Sequence, residues 1–321
     1  MIFIPSYPQH SSTSAFLHFH IKKTAGYFLT DSILLAAKAI MSLAEKSSFS
    51  SEALLAQPPL VSVRQSCAQL TEQLSAIKTL SSNNLPNKIF ASVHDHYSDS
   101  LEHVIRSTIK TSKICSFTFI REPRARLLSE IAYNCRRQLI GNEADFWDYI
   151  HSNQDALSNA MVNFFSPGDS SSPVASSCNV QSAMQNLNKL NLVLNTSGLE
   201  VDEALSRLLS AFSLPCIALE SRLNASSIHD IPVDVDRSRL NEWILANSEE
   251  DIALYHSIKT QPASALSNSS IAGPSLADDM QHVHPYTLFI KSINKSGSPI
   301  KTQAILIKTD DYLRIENNPA L

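Results

Sequence analysis

Residues 113–138 read KICSFTFIREPRARLLSEIAYNCRRQ. The first eight are a short apolar run rich in Phe and Ile, the pattern of a strand buried on both faces. Arg121-Glu122-Pro123 ends it. Proline suits the first position of a helix, where an N–H has no intrahelical partner, so a helix is expected from Pro123 to about Gln138. A buried strand passing straight into a helix is half of a β–α–β unit. The stretch therefore predicts an α/β fold with a mainly parallel sheet.

The same alternation recurs on both sides. AFLHFHI (15–21) reads as a strand and KKTAG as a loop. Tyr27 to Ala44 then has helical spacing, with Thr24 where an N-cap belongs. KIFASVH (88–94) is a second strand, followed by HDHYSD and a helix from Ser100 to about Lys110. NLVLNT (191–196) is a short strand, and 198–212 an amphipathic helix with an acidic start. Residues 61–80, 143–165 and 238–259 each read as one helix; 45–60 and 166–177 are Ser- and Pro-rich loops. This divides the chain into an α/β domain over 1–261, a linker over 262–285 and a C-terminal β-hairpin extension over 286–321.

Composition narrows the function classes. The chain has 321 residues, 43% hydrophobic, enough to bury a sizeable core. Its net charge of -4 argues against general nucleic-acid binding, which needs a basic surface. Six glycines and no GxGxxG or GxxxxGK[ST] argue against a glycine-rich phosphate loop, and so against an ordinary P-loop kinase. Five scattered cysteines (Cys67, Cys115, Cys135, Cys178, Cys216) form no CxxC pair, which fits a reducing compartment. No stretch has the roughly 20 apolar residues of a membrane span, and MIFIPSYPQHSS lacks the basic and apolar regions of a signal peptide. A cytoplasmic location is expected.

Three constellations carry chemistry. His20-Ile21-Lys22-Lys23-Thr24-Ala25-Gly26 joins a strand to a helix, where exposed N–H groups and the helix dipole favour an anion. Arg121, with Ser129 two helical turns on, follows the clearest strand; arginine suits bidentate phosphate contacts. His94-Asp95-His96-Tyr97 follows another strand and offers a general base. Taken alone, each also fits a solvated loop or helix start, with Arg124 and Arg126 simply in water. Asp95 and Asp99 beside the histidines could serve a metal, but no further ligand has suitable spacing and none is expected. Trp147 and Trp243 read as core residues, and Tyr133 as a packing residue. Together the three constellations can share one edge of one sheet.

At this point the chain resembles the carbohydrate-type sulfotransferases, the group that includes heparan sulfate 2-O-sulfotransferase. HIKKTAG (20–26) is similar to the family's HxPKTAG loop, and FIREPRARLLSEIAY (119–133) to its strand–R(D/E)P–xxR–xxS–xY block. HDHY lies between them, where the family keeps its catalytic histidine. A weaker resemblance continues through NAMVNFF (159–165), AMQNLNKLNLVLNTSGLE (183–200) and SEEDIALYHSI (248–258). Lys22 stands where the family has proline, and Asp95 where it has glycine.

The resemblance implies a P-loop-like three-layer core and a sulfuryl donor, 3′-phosphoadenosine 5′-phosphosulfate, with no metal. It implies that Lys23, with Lys22, Thr24, Ala25 and Gly26, forms the 5′-phosphosulfate loop, and that Lys23 stabilises the leaving group. Arg121 and Ser129 would hold the 3′-phosphate. His96 would be the general base, with His94 assisting or orienting it. The acceptor would be a hydroxyl of a carbohydrate or similar polar molecule. Animal members are usually Golgi-anchored, so the cytoplasmic expectation means a bacterial-type enzyme, the alternative being a truncated lumenal domain. The other function expected is a nucleotide- or glycan-binding descendant of the fold with little catalysis.

Overall fold

A computed structural model describes residues 15–24, 29–34, 36, 60–79, 89–94, 96–97, 100–109, 114–166, 178–196, 205, 216–219, 228–260, 286–293 and 301–308. The expected linker, most of the expected loops and all of the expected 198–212 helix but Leu205 lie outside them, as do Ala25, Gly26 and Asp95.

The core is a five-stranded sheet: β1 (Ala15–Phe19), β2 (Leu60–Gln65), β3 (Ile89–Val93), β4 (Ile114–Ile120) and β5 (Leu192–Asn195), in the order β2-β3-β1-β4-β5. Every pairing is parallel. All residues of β1, β3 and β4 are buried, as in a sheet covered on both faces, and the burial includes the polar His18, Ser92, Ser116 and Thr118. Helices flank the sheet: α1 (Cys67–Thr79), α2 (Ser100–Ile109) and α7 (Cys178–Leu187), with residues 29–34 also helical.

Beyond β4 the chain enters a helical layer: α3 (Pro123–Gln138), α4 (Glu143–Ser152), α5 (Gln154–Leu157) and α6 (Ala160–Phe165). It is completed by a 3₁₀ turn at Ile228–Asp230, α8 (Arg237–Ala246) and α9 (Glu249–Thr260). This layer has its own apolar cluster, in which Leu127, Ile131 and Cys135 of α3 meet Phe146, Trp147, Ile150, Ile231 and Ile244. Trp147 is buried there, and half-buried Trp243 packs against it, as expected of core residues. The sheet cluster is distinct, and Met161, Phe165, Leu254 and Tyr255 bring α6 and α9 into it.

Several expectations are corrected. Residues 61–65 are strand, not helix. Val61-Ser62-Val63 alternates with β-branched residues, and the helix starts only after Ser66. There Ser66 Oγ accepts from the Gln69 amide at 3.1 Å, while Gln69 Oε1 accepts from the Ser66 amide at 2.9 Å, a capping box. The single helix expected over 143–165 is three, broken at Asn153 and at Asn159, whose φ of 44° is left-handed. The helix expected over 238–259 is two, separated at Asn247-Ser248. Helix α7 and strand β6 (Cys216–Leu219) were not anticipated. The hairpin strands β7 (Tyr286–Ile293) and β8 (Lys301–Lys308) pair antiparallel, and β6 adds to β7 in parallel, so they form a three-stranded sheet. Among the described residues no helix is long and apolar enough to cross a membrane.

Candidate functional site

A parallel sheet delivers the residues that follow each strand to one edge. His20–Thr24 leave β1, His94 and His96 leave β3, and Arg121 leaves β4. From β1 the chain moves toward β2, on one side of the sheet; from β4 it moves toward β5, on the other. The crevice between β1 and β4 is therefore the switch point, the place where open α/β sheets bind ligands. Lys23 and Arg121 flank it, and Arg121 Nη1 donates to the Lys23 carbonyl at 3.2 Å.

The loop after β1 is fixed by its own chemistry. The buried Thr24 hydroxyl donates to the Ile21 carbonyl at 2.7 Å, closing a turn; the amides an N-cap bond would come from lie outside the described residues. Lys23 sits at φ 65°, in the left-handed region that costs a residue with a Cβ about 1–2 kcal/mol. Such backbone strain concentrates at ligand sites. Lys22 is exposed beside it.

The Lys23 ammonium lies 4.1 Å from the centroid of the Tyr133 ring, and the Arg136 guanidinium 5.8 Å from the same centroid. Tyr133 is thus a cation platform, not only a packing residue. Burial pushes the Lys23 amine down to about 8; Glu130 and Asp230 oppose this, and Arg136 and Arg121 reinforce it. Arg136 is paired at 3.6 Å with Asp230. Half-buried Ser129 lies one turn before Tyr133 on α3, and Arg136 nearly one turn after it, so one stripe of the helix carries all three. Glu122 caps α3, accepting from the Arg124 and Ala125 amides at 3.0 and 2.7 Å.

Arg126 is the clearest departure from the solvated reading. It is 1% exposed and donates to Glu130 Oε2 at 2.6 Å and to the Leu157 carbonyl at 3.1 Å. Its Nε stands 3.8 Å from Asp251, so it binds α3 to α5 and α9 rather than facing a ligand. Arg124 remains exposed, bonded to Asn241 at 2.7 Å.

The two histidines after β3 differ. Exposed His96 has Nδ1 3.0 Å from the Asn163 carbonyl. A carbonyl only accepts, so Nδ1 carries the proton and Nε2 of the neutral ring holds the lone pair. Tyr97 packs between Phe19 and Phe165, and its amide donates to the Phe164 carbonyl, which ties this turn to α6. His94 is half-buried, with Nε2 2.5 Å from Nδ1 of His20. His20 is 1% exposed and stacks on fully buried His18, with ring centroids 5.3 Å apart. Burial, then the nearby His94, pushes the His18 imidazole down to about 3.

The structure thus brings together Lys23, Thr24 and Arg121 at the crevice, with His94 and His96 on the neighbouring strand. Sequence reasoning missed Arg136, the cation-holding role of Tyr133 and the hydrogen bond of His20. The seven-residue spacing from Ser129 to Arg136 held a helical-face signal for the first. No cluster of three or more His, Cys, Asp or Glu side chains that could hold a metal occurs among the described residues. No protein-family model matches the chain, and no curated protein matches it.

Proposed function

We propose that the chain is a sulfotransferase moving a sulfuryl group from 3′-phosphoadenosine 5′-phosphosulfate to a hydroxyl of a carbohydrate or similar polar acceptor. The carrying observation is the convergence of Lys23 and Arg121 on the switch-point crevice of an all-parallel sheet, with a histidine pair leaving the adjacent strand. The P-loop-like form of the fold belongs to the same proposal. It is supported by a Lys-Thr turn between β1 and a helical segment, where phosphate groups meet N–H donors.

The residues present suit such a polyanionic ligand. Lys23 and Arg121 supply cations, and Arg121 is tied to the loop through the Lys23 carbonyl. When bound, the donor supplies the sulfuryl group: the acceptor oxygen forms the new O–S bond as the bond to the phosphate oxygen breaks, and its electron pair leaves with the phosphate. Lys23 stabilises negative charge at that oxygen. Arg121 and Ser129 hold the 3′-phosphate, far from the reacting atoms, and set orientation. His94 and His96 leave the end of β3, and one of them takes the acceptor proton; the resemblance names His96, whose neutral ring has its lone pair on Nε2, and leaves His94 as the alternative. A cytoplasmic location fits the buried free thiols of Cys115 and Cys135.

Titration calorimetry with adenosine 3′,5′-bisphosphate tests the reading. Micromolar binding is expected, weakened about 30-fold (about 2 kcal/mol, the scale of a lost charge-assisted contact) in Arg121→Ala. A well-folded wild type that binds no nucleotide overturns it.

A further inference from the structure

The buried histidines His18 and His20 of the β1 segment are not used by the mechanism above, and one of them touches a histidine that is. We propose that His20 is a positioning residue for His94: its Nδ1 fixes the ring and tautomer of His94, so that His94 takes the acceptor proton. The inference rests on the sulfuryl-transfer reading and assigns the base within it.

The argument starts from the 2.5 Å separation between His20 Nδ1 and His94 Nε2. Two ring nitrogens that close share one proton; two protons would repel, and two lone pairs would too. If His94 becomes an imidazolium, both its nitrogens carry protons. Nε2 must then donate, and His20 Nδ1 must accept. A positive charge on the couple costs least on its less buried member, which is His94, since His20 is 1% exposed. The neutral couple poised for this has the proton on His94 Nε2 and the lone pair on His94 Nδ1. The acceptor proton goes to Nδ1, the Nε2 proton stays in its bond to His20, and nothing is oxidised or reduced.

The surroundings hold His20 in place for that role. Its amide donates to the Val93 carbonyl at 2.8 Å, which extends the β1–β3 ladder to the residue before His94. Its ring is backed by His18, which is itself held by Ser92 Oγ at 3.1 Å and stacked on Phe117 of β4 at 4.9 Å. Behind the couple stands the His18 ring, whose own neighbours include the Ser92 hydroxyl and the Phe117 ring. His96 has a different support, a backbone carbonyl of α6. That bond orients the ring but joins it to no second titratable group.

The test is long-range ¹H–¹⁵N correlation of the imidazole rings in the ¹⁵N-labelled full chain, between pH 5 and 9. In wild type, neutral His94 is expected in its Nε2–H form, with a nitrogen–nitrogen coupling across the hydrogen bond to His20. In His20→Phe that tautomer preference is lost and the proton affinity of His94 falls about tenfold, as expected when a hydrogen bond to the charged form is removed. His20→Asn places an oxygen acceptor near the Nδ1 position and restores the affinity to within about threefold, which a purely packing role would not do. An absent coupling in wild type overturns the proposal whether or not a variant folds. So does an equal shift in the two variants. Calorimetry separates the two ideas: binding of adenosine 3′,5′-bisphosphate without the coupling removes the His20 role alone, whereas the coupling without nucleotide binding supports the couple and removes the sulfuryl-transfer reading.

Discussion

At the scale of single residues, Lys23 shows how burial changes what a side chain can do. A surface lysine stays charged well past pH 9. Here burial lowers the amine to about 8, with Arg136 and Arg121 adding to the effect against Glu130 and Asp230. A lowered lysine loses its charge as pH rises through that value. The affinity for adenosine 3′,5′-bisphosphate is therefore expected to fall only about twofold between pH 7 and 8 and more steeply above it, by up to tenfold per pH unit. The phosphates are already ionised there, since their second pKa is about 6. Calorimetry from pH 7 to 9.5 measures this, and Lys23→Ala should both weaken binding and flatten the profile. A wild-type affinity unchanged to pH 9.5 would show that Lys23 is not the anion's partner. The candidate residues themselves were legible in the sequence, because Lys23, His94 and Arg121 each follow an apolar run. Their second partners were not. Nothing in HIKKTAG says that its histidine will meet His94, 74 positions away, since only the β1–β3 register brings them together.

At the scale of elements, α6 and α9 cap each other. Asp251 in the first turn of α9 accepts from the Met161 and Val162 amides of α6 at 3.0 and 2.9 Å. Asn159, just before α6, accepts from the Glu250 and Asp251 amides of α9 at 3.1 and 3.3 Å. Burial pushes the Asp251 carboxyl up, against the pull of Arg126 and the two amides. Asp251→Ala leaves buried donors unmet and takes a carboxylate from beside buried Arg126, so a loss of about 3 kcal/mol is expected in urea unfolding. A loss below about 1 kcal/mol, the size of an ordinary exposed cap, would mean that the pair does not lock the layers. The consequence reaches the site, because α6 supplies the carbonyls that hold His96 and Tyr97. The same elements show where sequence reading stops. Strands β3 and β4 and helix α3 stood out, since burial on both faces or a proline start leaves a local mark. The breaks at Asn159 and Asn247 did not, because the partners that stabilise them lie some 90 positions along the chain. The strand at 60–65 was hidden for another reason: six residues beside a long helical period are easily absorbed into it.

At the scale of the whole molecule, the sheet core carries ionisable groups that it must keep neutral, and this sets its response to acid. His18 sits inside the sheet, fully buried, between the ring of His20 and that of Phe117. Its imidazole is lowered to about 3, by burial first and by His94 second. In the unfolded chain the same ring titrates near 6.5. Between those values the unfolded state binds a proton that the folded state refuses. Stability is therefore intact above about pH 6.5 and falls as pH drops toward 3, by up to about 1.4 kcal/mol per pH unit from this residue. Urea unfolding of wild type and His18→Leu, at intervals from pH 7.5 to 4.5, isolates the contribution. The variant starts less stable, having lost the Ser92 hydrogen bond and two stacked rings, but its decline with acid should be shallower by about one proton below pH 6. Parallel curves would place the proton elsewhere. A shallower curve would show that the ring behind His20 stays neutral throughout the pH range in which the His20–His94 couple is proposed to work.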